Sequence, residues 1–479
     1  MDKVIVYAAP SGAIGKEDFA VYVRTTGQPW EKLFVYEVKV DMHNVRQASM
    51  AYFDMSGSVD VRIESLKQTI HEAVIRPLSS KLSFEHTDQT ISFTLDRSQK
   101  LSIEINGERF SNLHLFANPC EVDVPNPDHE DVLLLKPAIH RTEDIYRLMG
   151  TPKVEGGKAP DTIFFAPGMH YLEETLLYIP SGTTVYIAGG AIIVGSLVCE
   201  RVKEVTIRGR GILYLSDFHR YSTFRGIRIV FSEKISVEGI ITIDPPHYSI
   251  YLGQSHHVDI LNFKSFSTRG WSDGIDMMSC SHIDIDDVFL RTSDDCIAIY
   301  GSRWDFHGDT SHISVRNSIF WADVAHPLMI GTHGNHHGNG DTISDVLFEN
   351  IDILEHHEPQ PNYMGALAIN AGDHNTVRDV EYRNIRIENF ELGRLIDLRV
   401  VWNKDYNPVP GYRIENISFE DITYKGELKY PSQIFGYDEK RTIHNVRFTR
   451  LLVNDKLILQ PEKEMIEINE FVQGISFDA

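Results

Sequence analysis

VDILNFKSFSTRGWSDGIDMMSCSHIDIDDVFLRTSDDCIAIYG, residues 258–301, contains one pattern twice. An apolar, variable, apolar alternation closes on a polar corner residue, as VDILN at 258 and again as IDIDD at 283. The same pattern recurs upstream as VTIRG at 205 and ISVEG at 235. Downstream it returns as ISVRN at 313, VLFEN at 346, VEYRN at 380, ISFED at 417 and VRFTR at 446. Successive starts lie 30, 23, 25, 30, 33, 34, 37 and 29 residues apart. Self-similarity at a period of ~20–50 residues is the mark of a solenoid or a propeller. Each unit has room for two or three short strands and shows no helical period. A propeller blade needs four strands and ~40–50 residues, which the steps of 23 and 25 do not allow. The expected fold is therefore a right-handed parallel β-helix, with coils ~4.8 Å apart. Loops inserted on one side explain the uneven steps. The recurring Asn suits a tight corner, where it tolerates left-handed backbone and can stack in ladders.

Residues 1–145 have a different rhythm. Short alternating runs such as FAVYVRT, KLFVYEVKV, VDVRIES, TISFTLD and KLSIEIN are separated by turn clusters. They predict an antiparallel β-sandwich, with the parallel β-helix and its C-terminal cap over 146–479. RTEDIYRLMG (141–150) reads as a short helix linking the two. The class is all-β.

Composition excludes several functions. The chain of 479 residues carries 46 Lys and Arg against 68 Asp and Glu, a net charge of −22. That field repels nucleic acid and anionic membranes. No run reaches the ~18 apolar residues of a membrane span. Cys120, Cys199, Cys280 and Cys296 have no metal-ligand or disulfide-framework spacing and read as reduced thiols. The N-terminus lacks the long apolar core of a signal peptide, so a cytoplasmic location is expected. No cofactor or metal is expected, and the partners reduce to a carbohydrate, with a homo-oligomer left open.

The chemistry concentrates around the adjacent pair Asp294 and Asp295. Asp273 precedes them by 21 and 22 residues, close to one short coil, so three carboxylates are expected on neighbouring coils. Asp276 is near, but strand alternation is expected to point it elsewhere. His326 follows one coil later. The bland reading of an Asp pair in a solenoid is a solvated turn. Three aligned carboxylates with a His on the next coil instead suit glycoside hydrolysis. That reaction needs one protonated carboxyl and one ionised carboxylate, and crowding like charges separates their proton affinities.

SDG (272–274), SDDCIAI (293–299) and HPLMIG (326–331) resemble the motifs of the polygalacturonases, glycoside hydrolase family 28, over roughly residues 160–450. The added N-terminal sandwich is similar in layout to the family 49 dextranases and isopullulanases. The resemblance implies inverting hydrolysis of an α-linked sugar. It matches Asp294 to the general acid, Asp273 and Asp295 to the pair holding the attacking water, and His326 to the histidine that tunes the acid. The departures are Trp271 and Ser272 in place of Asn and Thr, Ser293 in place of Gly, and Ala325 and Pro327 around the histidine. Polygalacturonases also carry an Arg-Ile-Lys that grips the uronate carboxylate. The corresponding coil here is GALAINAG (365–372), which contains Asn370 and no cation. Arg399, in LIDLRVVWN, comes a coil later. Losing those charge-assisted bonds points to a neutral α-linked substrate, with a uronate-containing pectic oligosaccharide as the alternative. Short imported sugars would favour exo-action.

Aromatic faces stack on sugar rings, which singles out Trp271, Trp304 and Trp402 as substrate contacts, with Tyr300 and Arg303 beside the Asp strand. His333, in THGNHHGNGD (332–341), lies in a loop expected to be solvated and to border the cleft; the run has no fixed metal-ligand spacing. A polysaccharide lyase and a non-catalytic sugar-binding β-helix remain as rivals. The lyase needs a Lys or Arg base, and the binder needs no carboxylate trio.

Overall fold

The computed structural model describes residues 2–153 and 157–479. The N-terminal part is a β-sandwich. One sheet holds Lys3–Ile5, Tyr36–Val40, Arg46–Ser56, Ala73–Arg76, Gln99–Ile105 and Glu108–Pro119. The other holds Phe19–Thr25, Glu31–Leu33, Val59–Ser65, Phe84–His86 and Thr90–Leu95. Pairing is antiparallel except where Glu108–Pro119 runs parallel to Arg46–Ser56, with Leu113 opposite Ser49. The intervening chain crosses to the other sheet between these two strands, so no hairpin ties them.

The first sheet is buried on both faces. One face packs into the sandwich core with Phe53, Ile103 and Leu115. Tyr36, Val38, Met50, Tyr52 and Phe116 on the other face meet Ile192, Ile212, Ile241, Phe266 and Phe289 of the second domain. Buried charged side chains reach across the same contact. Arg210 Nε sits 2.9 Å from Asp54 Oδ1. Arg291, paired with Asp323 at 2.9 Å, donates to Asn112 Oδ1 at 2.9 Å. Breaking one such pair would strand a buried charge at a cost of ~3–5 kcal/mol, so the two domains behave as one unit.

The second part is a right-handed parallel β-helix of 31 strands, from Val132–Leu135 to Val472–Asp478. All nine repeat starts are stacked in register. Val205 pairs with Ile235, Ile235 with Val258, Val258 with Ile283 and Ile283 with Ile313. The line continues through Val346, Val380, Ile417 and Val446. Two residues further on, Phe348, Tyr382, Phe419, Phe448 and Phe477 stack ring on ring, 4.7–5.0 Å apart. The corners hold left-handed Asn317, Asn350 and Asn384, each amide bonded to the corner above (Asn350 Nδ2 to Asn317 Oδ1, 2.7 Å).

The β-helix starts earlier than residue 146. Val132–Leu135 already pairs with Thr162–Phe165. Thr142–Met149 is a helix, but a lid rather than a linker: Ile145 is in the solenoid core and Met149 packs against it. Three- and four-residue strands carry too little alternation for the boundary to be readable. Cys199, Cys280 and Cys296 are buried free thiols and Cys120 is half-buried. No helix among the described residues is long and apolar enough to cross a membrane.

One sheet of the solenoid carries the site. Its strands include Ile227–Val230, Ile250–Gly253, Ile275–Met278, Ile297–Tyr300, Leu328–Gly331, Leu367–Ala371 and Ile396–Val400. The longest loops rise along its two edges, at 215–226, 301–309, 332–341, 356–366 and 401–412.

Candidate active site

Ile275, Ile297 and Leu328 are register partners on successive coils. The residues two places before each, Asp273, Asp295 and His326, therefore fall in one line along the edge of the sheet. Asp294 sits one residue before Asp295 in the same turn. One oxygen from each of Asp273, Asp294 and Asp295 lies within 4.8 Å of the others. Inverting glycosidases hold acid and base ~6.5–9.5 Å apart, and these nearest oxygens are closer than that. The same three groups form the cluster, among the described residues, that could share a hard cation.

Each carboxylate has its own surroundings. Asp294 accepts the Trp271 backbone N–H at Oδ2 (2.8 Å) and the Asp295 N–H at Oδ1 (3.0 Å). Burial first, then the Asp295 charge, pushes its pKa up to about 7, against those two N–H donors. His326 Nδ1 lies 2.6 Å from Asp295 Oδ1, and the His326 N–H donates to the same oxygen at 3.1 Å. The His326 ring is fully buried, which alone would lower its pKa. The Asp295 charge and hydrogen bond, with Glu358 and the Tyr363 carbonyl, outweigh burial and raise it to about 9. At neutral pH an imidazolium thus faces Asp295. Asp273 is pushed well above the carboxylate range by burial and by Asp276, Asp294 and Asp295, with Arg303 opposing.

Asp276 does not point away from the site. It leaves the solenoid interior, as alternation requires, but that outer face is the floor beneath the catalytic line. It is fully buried, with its carboxyl beside that of Asp273. Burial and its neighbours' charges hold its proton on. Glu358, also raised by burial, adds a further carboxyl within reach of His326 and Asp295.

The expected substrate contacts divide into two groups. Trp271 and Trp304 are 45% and 47% exposed and flank His247, with ring centroids 6.1 and 6.3 Å away. Arg303 donates to Tyr248 Oη at 2.8 Å and lies over the Tyr300 and Trp304 rings. Tyr300 is buried, its hydroxyl 3.5 Å from Asp295 Oδ2 and its ring edge-on to His333. His333, Arg303, Trp304 and Tyr406 line a cleft of about 300 Å³ beside this cluster. In the second group the polar atoms have internal partners, although Trp402 is itself 39% exposed. Arg399 pairs with Asp397 at 2.7 Å, and Asn370 donates to Asp397 Oδ2 at 3.4 Å. The Trp402 indole donates to Asn407 O within its own loop. Arg220, Arg225, His247, Tyr248 and Tyr363 were not singled out from sequence, because they come from loops that follow no repeat.

Residues 219–449 match the family model described as Glycosyl hydrolases family 28. Over that span, just under half of the chain, the sequence resembles the polygalacturonases. A probable exopolygalacturonase B of Aspergillus terreus is 24% identical over 250 residues, 46% of this chain and 54% of that protein. Exopolygalacturonase B of Aspergillus niger is 24% identical over 216 residues, 41% and 47% of the two chains. The chain thus spans about half the length of the curated relatives it matches. Dex49A from Penicillium minioluteum has the same fold with a TM-score of 0.67 and 14% identity, covering 98% of this chain and 96% of that one. A family 28 exopolygalacturonase of Yersinia enterocolitica gives a TM-score of 0.52 at 11% identity, over 93% and 99%. The family 28 match contains Asp273, Asp294, Asp295 and His326. The likeness to Dex49A extends over the sandwich as well.

Proposed function

We propose that the chain hydrolyses an α-linked glycosidic bond with inversion. The observation that carries this reading is the unequal trio. One carboxyl, Asp294, binds its proton near neutral pH. Another, Asp295, faces an imidazolium. The family 28 match over the same residues supports it.

In the proposed reaction Asp294 gives its proton to the glycosidic oxygen as the carbon–oxygen bond breaks. A water held by Asp273 and Asp295 attacks the anomeric carbon from the opposite face and gives up its proton to Asp295. The close spacing suits this use of the pair. Two water hydrogen bonds of ~2.7–2.8 Å, diverging at a tetrahedral angle, span ~4.5 Å. Asp295 is also a poor candidate for a covalent nucleophile, because Oδ1 already accepts two donors from His326.

The neutral-sugar reading is supported by the coil 365–372, which carries no cation, and by Arg399, whose charge Asp397 answers. The pectic reading is supported by the exopolygalacturonase names of the relatives and by Arg303 beside Asp273. Exo-action accords with the same names and with the loops rising around the trio. A panel of neutral and uronate-bearing α-linked oligosaccharides, with analysis of released sugars, tests the proposal. Release of reducing sugar by the wild type and not by Asp294→Asn is expected. Unsaturated, ultraviolet-absorbing products would mean elimination by a lyase instead.

A further inference from the structure

We propose that Arg220, Arg225 and Arg303 form a subsite for a negatively charged sugar unit, so that the substrate joins an acidic sugar on the upstream side of the catalytic carboxylates to a neutral one downstream. This rests on the reading of the trio as a glycosidase centre.

The three guanidiniums come from different segments. Arg220 and Arg225 lie in the loop before Ile227–Val230, two coils ahead of Ile275–Met278. Arg303 lies in the loop after Ile297–Tyr300, on the opposite edge of the sheet. Arg220 stands 4.0 Å over the Trp271 ring. Arg303 and Arg225 stand 4.4 and 5.9 Å from the Trp304 ring. His247 sits between the two tryptophans and registers all three cations. Burial first, then Arg225, Arg303 and Arg220, pushes its pKa down to about 3. The imidazole is therefore neutral and adds no competing charge.

None of the three arginines has an ion-pair partner within 4.0 Å among the described residues, in a chain of net charge −22. Their hydrogen bonds are few: Arg225 Nη1 to Thr223 O at 3.2 Å and Arg303 Nη1 to Tyr248 Oη at 2.8 Å. Nε of both Arg220 and Arg225 is buried without a partner. The strongest influences on Arg225 are burial, two tyrosines and two more arginines. Elsewhere three buried arginines are answered, Arg210 by Asp54, Arg291 by Asp323 and Arg399 by Asp397, while Arg394 has Asp397 only as a longer-range counter-charge. Three converging guanidiniums, none in a direct ion pair and only Arg303 under the influence of Asp273 and Asp276, lie beside two exposed indole faces and match a carboxylate or sulfate ester carried on a sugar ring. The fork geometry suits a planar or tetrahedral oxyanion, and the indoles suit the ring. Downstream the pattern reverses. Residues 365–372 offer Ala366, Ala368 and Asn370, Arg399 is neutralised by Asp397, and the other arginine there, Arg394, is drawn to the same Asp397 and donates to the Pro431 carbonyl. A second acidic unit at that end would be desolvated without a counter-charge.

The test is calorimetric binding to Asp294→Asn protein, which needs no turnover. The probes are an α-linked disaccharide of a hexuronate and a neutral hexose, its methyl ester, its sulfated neutral counterpart, an oligogalacturonate and a neutral malto-oligosaccharide. The mixed acidic disaccharide should bind tightest, and esterification should weaken it by about ten- to a hundredfold, the weight of one or two charge-assisted bonds. The sulfated probe shows whether the subsite reads carboxylate alone or oxyanions generally. Arg220→Gln and Arg225→Gln should each weaken the acidic probe by a similar factor and leave the neutral one unchanged, while Arg225→Lys should lose less. Thermal melts show whether each variant is folded. Equal binding of acid and ester, or unchanged binding in both Gln variants, overturns the subsite. Tighter binding of the oligogalacturonate than of the mixed disaccharide overturns the neutral downstream half. Charge-selective binding with no cleavage by the wild type would sink the glycosidase reading and leave the subsite standing.

Discussion

His326 Nδ1 lies 2.6 Å from Asp295 Oδ1, both groups buried. The pair fixes one carboxylate of the trio as the partner of a cation, while Asp294 and Asp273 are both pushed toward holding a proton. Its replacement should have a readable signature. His326→Ala should reduce turnover by about 10–100-fold, less than loss of any trio member, and shift the acid limb of kcat/KM, because a buried cation is removed from the carboxylate cluster. An unshifted acid limb would mean that the histidine only packs.

The same pair links stability to pH. The folded-state pKa of His326, about 9, lies above the ordinary histidine value of ~6.5. Its contribution is full below pH ~6.5 and is lost as the pH rises through about 9. The difference in melting temperature between wild type and His326→Gln should therefore be largest near pH 6 and shrink by pH 9.5. A difference that grows with pH would contradict the ion pair.

Asp294 should set the basic limb of the activity profile. With its pKa at about 7, kcat/KM should fall above neutral pH as the acid loses its proton. Asp294→Asn should lower kcat by about 10²–10⁴-fold and leave KM nearly unchanged, because the proton is needed only in the transition state. A plateau extending to pH 9 would remove Asp294 from the role of acid.

Asp273→Asn and Asp295→Asn should each be severe, and the double variant little worse than either, since both hold one water. Multiplicative losses would show that they act separately.

Ser293 stands where the family has Gly, and the structure gives it a task. Its Oγ accepts the Met42 N–H at 3.0 Å and donates to Ser267 O at 2.9 Å, fastening a sandwich loop to the turn that carries Asp294. Ser293→Gly should destabilise the protein by ~1–3 kcal/mol, the cost of a stranded buried donor, and reduce kcat several-fold with little change in KM. Urea unfolding and steady-state kinetics measure both. Wild-type kcat in the variant would show that the sandwich merely rests on the helix.

The solenoid was legible because its coils repeat an interior alternation and a polar corner, and all nine starts proved to be stacked. The sandwich strand Arg46–Ser56 was not, since it is buried on both faces and shows no alternation. Asp273, Asp295 and His326 could be aligned because their separations equal coil lengths. Asp276 was expected to point elsewhere by strand alternation, but the outer face it joins is the covered floor of the site, beside Asp273. Arg220, Arg225 and His247 lie in the variable loops 215–226 and 244–249, where no period relates one residue to the next, and only the folded chain brings them beside Trp271 and Trp304.

The central claim is that Asp273 and Asp295 hold a water and form no bond to the sugar. Their oxygens lie within 4.8 Å of Asp294, close to the ~5–5.5 Å usual where a carboxylate attacks carbon and a covalent intermediate forms. Proton NMR of the anomeric region during the first minutes of hydrolysis separates the two. Inversion predicts that the β-anomer accumulates first from an α-linked substrate and the α-anomer only by later mutarotation. First appearance of the α-anomer would contradict the account and make one of those two carboxylates a nucleophile.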